Sequence, residues 1–165
     1  MNVEQLFEIQ EKVDLKIAEN MPDTWEGFGD WKSLHNRNFA FRVEVMELAN
    51  EVGFFKDWKH SHKINIPAAL EELADCIAFL LSVGITQGYD RVVHEVEPFS
   101  LWEAYEFSDL FDILTDIRVE NIGKYEMSFS LLLGIGLKLG ATEAEIVQAY
   151  EQKSFKNMER QNNGY

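Results

Sequence analysis

Two pairs of carboxylates carry the first chemical signal in this sequence. Glu44-Val-Met-Glu47 and Glu72-Leu-Ala-Asp75 each hold two acids three positions apart, a spacing that puts both on one face of an α-helix. At the pitch of an α-helix Glu44, Glu47 and Glu51 fall within about 60° of one another, beside an apolar arc of Val45, Leu48, Ala49 and Val52. Glu72 and Asp75 likewise border Leu73, Ile77 and Leu80. Four carboxylates converging from two helices repel one another unless a hard cation lies between them. An all-oxygen donor set that leaves room for water and phosphate suits Mg2+, with Mn2+ as a substitute. Two or more adjacent ions in such a site can activate a water and neutralise a phosphoryl centre. For a single pair of this kind a solvated acidic face is the ordinary alternative. The second pair shifts the balance, because Asp75 leads into Cys76-Ile-Ala-Phe-Leu-Leu-Ser-Val-Gly-Ile85. A charge drawn into so apolar a segment needs a partner or a metal.

These pairs need helices to present them, and the chain supplies helical patterns throughout. Apolar residues Val3, Leu6, Phe7, Ile9, Val13 and Ile17 recur at helical spacing over residues 2–20. A second helix is expected from about Asn36 to Val52, and a third from Pro67 to Gln87 with Gly88 as its stop. Ser100 with Glu103 and Thr142 with Glu145 have the spacing of capping boxes. They predict a fourth helix running to about Asn121 and a sixth entering the C-terminal tail, with a fifth over 124–139 between them. Trp25, Trp31, Gly27 and Gly29 mark an aromatic-rich loop before the second helix. No stretch alternates like a strand and no period repeats. The fold expected is an all-α bundle of five or six helices, in one domain spanning residues 1–165.

Composition narrows the function classes. Fifteen Lys and Arg stand against 29 Asp and Glu, for a net charge of −14, which disfavours binding to nucleic acid polymers or anionic membranes. A nucleotide remains compatible, since a metal can bridge an acidic protein to a polyphosphate. The single cysteine, Cys76, lies in an apolar run and reads as a packed thiol in a reducing compartment. No basic-then-apolar leader opens the chain and no apolar stretch has the length of a bilayer span, so a cytoplasmic location is expected. His60 and His62 lack the further ligands of a zinc site. There is no Walker-type phosphate loop and no nucleophilic triad.

Three of the fifteen basic residues, Lys153, Lys156 and Arg160, cluster near the end of the chain. Lys153, Asn157 and Arg160 follow one another at spacings of four and three, so they share one helical face, and Lys156 pairs with Arg160 at i, i+4. Such a group either complements the dipole of a solvated last turn or binds an anion, Arg160 as a bidentate fork and Lys153 as a point charge.

The order E-x-x-E, then E-x-x-D after 24 intervening residues, resembles the signature of the all-α NTP pyrophosphatases, which include MazG-like enzymes and the dimeric dUTPases. Further segments are similar to the dimeric dUTPases in particular. Gln10-Glu-Lys-Val-Asp14 looks like that family's N-terminal helix. Glu47-Leu-Ala-Asn-Glu51 followed by Phe55-Lys56-Asp-Trp58-Lys59 looks like its E-L-x-N-E and F-K-x-W-K segments. The run from Tyr150 through Lys153, Asn157, Arg160 and Gln161 to Gly164-Tyr165 is close to its terminal motif, with Ser154 where the family often has Asn. The likeness spans most of the chain and is thin over 85–140.

The resemblance implies a Mg2+-dependent homodimer that converts dUTP, and also dUDP, to dUMP. It implies that Glu44, Glu47, Glu72 and Asp75 bind metal and that Glu51 belongs to the catalytic set. Lys153, Asn157 and Arg160 would then close over the phosphates and Gln10 would help read the base, its amide offering both a donor and an acceptor. Lys56 and Trp58 are the remaining candidates for substrate contact. Two other readings stand beside this one: a MazG-like enzyme acting on another nucleotide such as dCTP, and a non-catalytic helical interaction module.

Overall fold

A computed structural model describes residues 1–20, 34–61 and 63–164. The expected loop with Trp25 and Trp31 and the side chain of His62 lie outside the described residues. Six α-helices and no strands are found among them. They are α1 (Glu4–Asn20), α2 (Leu34–Val52), α3 (Ile66–Gln87), α4 (Phe107–Asp116), α5 (Ile122–Lys138) and α6 (Glu143–Asn162), with one 3-10 turn at Tyr89–Arg91. No helix among the described residues is long and apolar enough to cross a membrane.

α3 is the centre of the bundle. Its sequence is apolar on nearly every side, and α1, α2, α5 and α6 all pack against it. Leu73, Ile77, Leu80 and Leu81 are fully buried, as is the Cys76 thiol. Asn65 caps the helix, its Oδ1 accepting from the Ala68 N–H at 3.5 Å, and Pro67 sits in the first turn. α2 provides the most extensive of these contacts and buries Phe41, Val45 and Leu48 in the seam. The chain start is tied to the connection after α3, with Val3 donating to the His94 carbonyl at 3.0 Å and Val96 to that of Met1 at 2.9 Å.

The helix starts at α5 and α6 follow local chemistry. Asn121 accepts from the Lys124 N–H at 3.0 Å. Thr142 donates its N–H to Glu145 Oε2 at 2.8 Å and accepts the Glu145 N–H at 3.3 Å, completing the expected capping box. The fourth helix differs from expectation at both ends. Ser100 does not cap it; the helix begins at Phe107, where the Glu106 N–H donates to Asp109 Oδ2 at 2.9 Å. The segment before it is held to α5 instead, with Phe99 donating to the Ser130 carbonyl at 2.9 Å. α4 also stops at Asp116 rather than near Asn121. Past it the chain is extended at Ile117 and clipped by the buried amide of Asn38, which accepts from the Val119 N–H at 3.1 Å and donates to its carbonyl at 3.2 Å. In both places a tertiary contact outcompetes a local helix signal.

The pair Gly134 and Gly136 shows why α5 can approach so closely. A methyl group on Gly134 would stand 2.9 Å from Trp102 Cβ, and one on Gly136 would stand 2.5 Å from Ile146 Cδ1 and 2.9 Å from Leu73 Cδ2. We expect Gly136→Ala to cost about 1–3 kcal/mol through overpacking, read as a lower midpoint in chemical denaturation. Ile146→Val, which removes the obstructing methyl, should recover part of that loss in the double variant. Full stability of Gly136→Ala alone would contradict the packing described.

Candidate functional site

α2 and α3 bring their acids to one place. One oxygen from each of Glu44, Glu72 and Asp75 lies within 4.8 Å of the others, and all three side chains are half-buried. Glu47 is exposed at the margin of this trio and acts on it through charge, while Glu51, one turn further, is half-buried. The crowding shows in the ionisation of the group. Burial, then the charges of Asp75, Glu47 and Glu72, push the Glu44 carboxyl up to about 7. Burial and the charge of Asp75 also raise Glu72. Asp75 is raised by burial, and its contact with Lys153 offsets only part of that.

α6 supplies the cations. Lys153 Nζ stands 2.5 Å from Asp75 Oδ2 and 3.2 Å from Glu71 Oε1, and Lys156 Nζ is also 3.2 Å from Glu71 Oε1. The two carboxylates hold Lys153 protonated against the opposing effect of burial. Arg160 lies close enough for its charge to act on Asp75. Glu71 has no counterpart among the residues expected from the sequence, where it reads as one more acid beside Glu72.

Beside the trio lies a cavity of about 270 Å3 whose wall includes Gln10, Asp14, Arg37, Asp75, Phe79, Ser82 and Asn157. Its floor is a buried polar network. Asp14 accepts from Gln10 Nε2 at 2.8 Å, from Arg37 Nη1 at 2.9 Å and from Ser82 Oγ at 2.5 and 2.6 Å. Arg37 Nη1 also donates to the Ser82 carbonyl at 2.7 Å, and the Tyr150 hydroxyl donates to Gln10 Oε1 at 3.1 Å. Paired in this way, an arginine and a carboxylate can remain charged out of water. Among the described residues, each end of the Gln10 amide keeps one further hydrogen-bonding position.

Of the residues singled out in the sequence, Gln10, Asp75 and Asn157 line this cavity, and Glu44, Glu72 and Lys153 meet at its edge. Lys56 and Trp58 do not line it. Lys56 Nζ donates to the Asn50 carbonyl at 2.7 Å, closing the end of α2, and Trp58 is 71% exposed with its ring against Phe55. Arg37 carries no sequence signal that separates it from a surface arginine. Ser82 carries a faint one: it is a polar residue inside an apolar run, seven positions after Asp75 and so on the same face.

The family described as dUTPase matches residues 2–165 of the chain. No curated protein matches it. A match over nearly the whole length places the chain in the dUTPase family, and it is a nucleoside triphosphate pyrophosphohydrolase of the dUTP diphosphatase type.

The raised Glu44 carboxyl predicts a pH-dependent penalty. Its folded value, about 7, lies above the ordinary 4.5, so the folded state binds the extra proton and stability falls as pH rises between those values. The penalty is fully present above about 7. Without divalent metal, Glu44→Gln should therefore melt later than the parent protein at pH 8, by about 1 kcal/mol once solvent screening of a half-exposed group is allowed for. The gap should close near pH 4.5. Thermal melts in chelator at the two pH values check this; a variant less stable than its parent at pH 8 would contradict it.

Proposed function

We propose that this member of the dUTPase family hydrolyses dUTP, and also dUDP, with Mg2+ held by Glu44, Glu47, Glu72 and Asp75. The observation that carries the proposal is the convergence of Glu44, Glu72 and Asp75 from two helices at the edge of a cavity that α6 overlooks. The donor set fits the ion. All the donors are carboxylate oxygens, three of them lie close enough for small side-chain rotations to bring them around one cation, and the raised carboxyls are those of a site short of positive charge. Bound there, one ion or two supply charge for the phosphates and a water of lowered pKa; Mn2+ has the same ligand preferences and would substitute.

The chain's own residues divide the remaining work. The cavity takes the nucleoside, with the Phe79 ring and Ala40 and Ala78 giving apolar wall and the free positions of the Gln10 amide meeting the edge of the base. The network of Asp14, Arg37, Ser82 and Tyr150 holds that amide in one orientation. Lys153, Asn157 and Arg160 face the polyphosphate from α6, the two cations as charge partners of its oxygens and the Asn157 amide as a hydrogen-bond donor. Glu51, or one of the four acids assigned to the metal, takes the proton of the attacking water. Lys56 and Trp58 join the substrate only through a movement of their connection toward the cavity.

Residues 1–165 act as one domain in this reading, and the protein works in the cytoplasm as a homodimer. Phe39, Val43 and Met46 support the dimer: they form an exposed apolar stripe along α2, at 61%, 40% and 51% exposure, of the kind that protein partners cover.

Turnover tests the proposal. Pyrophosphate should be released from dUTP in the presence of Mg2+, much less from dCTP, dTTP or dATP, and not in chelator. Asp75→Asn should lower kcat by at least about 100-fold, of the order found when charge stabilisation at a reacting centre is lost, with the helical circular dichroism unchanged. Arg160→Ala should mainly raise KM for dUTP, since the fork grips the substrate in ground and transition states alike. Full activity of Asp75→Asn, or an unaltered KM in Arg160→Ala, would overturn the role given to that residue.

A further inference from the structure

Lys153 and a divalent cation have claims on the same carboxylate. Its Nζ lies 2.5 Å from Asp75 Oδ2, and Asp75 is one of three acids whose oxygens lie within 4.8 Å of one another. The lysine is largely shielded, with 14% of its side chain exposed, and so is Asp75 at 15%. Two cations at one shielded carboxylate repel, so an ion ligated by Asp75 favours withdrawal of the ammonium. A withdrawn lysine without a second partner would be a buried, uncompensated charge.

The second partner is present. Glu71 Oε1 stands 3.2 Å from the same Nζ, and it holds Lys156 at the same distance. Glu71 belongs to α3, four residues before Asp75 and so one turn away along the same face. Its position puts it outside the trio of Glu44, Glu72 and Asp75 but within reach of the lysine without any movement of α6.

We propose that Glu71 is a positioning residue: it receives Lys153 from Asp75 when the metal binds and keeps the ammonium aimed at the polyphosphate. Lys153 thus has two posts. At Asp75 it is the counter-ion of the acidic cluster, and at Glu71 it is a phosphate ligand. Lys156, which among the described residues pairs with Glu71, anchors the second post to the next turn of α6. The proposal rests on the metal reading given under Proposed function and extends it to a residue outside the metal ligands.

The test uses Mn2+ alone, without nucleotide, titrated calorimetrically into the chelator-stripped full chain. Lys153→Met should bind Mn2+ about tenfold more tightly than the parent, a coupling typical of groups in direct contact, whereas Lys156→Met should differ by less than about twofold. Glu71→Gln should bind Mn2+ more weakly and show a raised KM for dUTP. In a Lys153→Met background the Glu71→Gln change should leave Mn2+ affinity unaltered, because Glu71 acts through the lysine. An equal loss in both backgrounds would mean that Glu71 merely adds negative charge, and would overturn the proposal. So would unchanged Mn2+ affinity in Lys153→Met. If the parent protein binds no Mn2+, the metal reading itself fails; if it binds Mn2+ and the lysine is without effect, only the two-post role fails. Circular dichroism of each variant confirms that the helices being compared are folded.

Discussion

The structure depends on keeping several negative charges together at the edge of an apolar core. Glu44, Glu72 and Asp75 project from the seam between two helices that bury Val45 and Leu48 from α2 and Leu73 and Ile77 from α3 beside them, so they cannot spread into solvent without unpacking that seam. The cost shows as carboxyls that resist ionisation. Nearly every other feature of the site answers that constraint: the cations of α6, the shielded lysine at Asp75, and a carboxylate grouping close enough to hold a metal ion.

Rigidity comes from a different chemistry. The cavity beside the acids is built on a closed polar network in which Asp14 is hydrogen-bonded from α1, α2 and α3 at once. Tyr150, buried on α6, extends the network to Gln10 and to the Leu6 carbonyl. The same α6 therefore presents Tyr150 to the network, Lys153 to the acids and Asn157 to the cavity wall. Through this helix the shape of the cavity and the charge around the acids are mechanically linked.

How much of this was legible in the sequence follows from the range of the interactions. The helical character, the Thr142 cap and the burial of Cys76 are local or compositional, and they were readable. The two acid pairs were readable because helical spacing puts each pair on one face and the apolar run after Asp75 marks it as half-buried. The fourth helix departs from its sequence pattern at both ends. Ser100 with Glu103 has the right cap spacing, but the hydrogen bond from Phe99 to Ser130 and the Asn38 clip on Val119 come from residues far along the chain. Arg37, Ser82 and Glu71 are hard to read for the same reason: each takes its meaning from a partner on another helix, and only Ser82, a polar residue in an apolar run, has even a faint local signal. The placement of Lys56 and Trp58 away from the cavity could likewise be seen only in three dimensions.

The most direct measurement is a crystal structure of the protein with Mn2+ and a non-hydrolysable dUTP analogue, with the metal located by its anomalous scattering. The account predicts an anomalous peak among the carboxylates of Glu44, Glu72 and Asp75, the base in the cavity beside Gln10 and Phe79, and the phosphates under α6. A peak elsewhere, or a nucleotide bound away from that cavity, would contradict it.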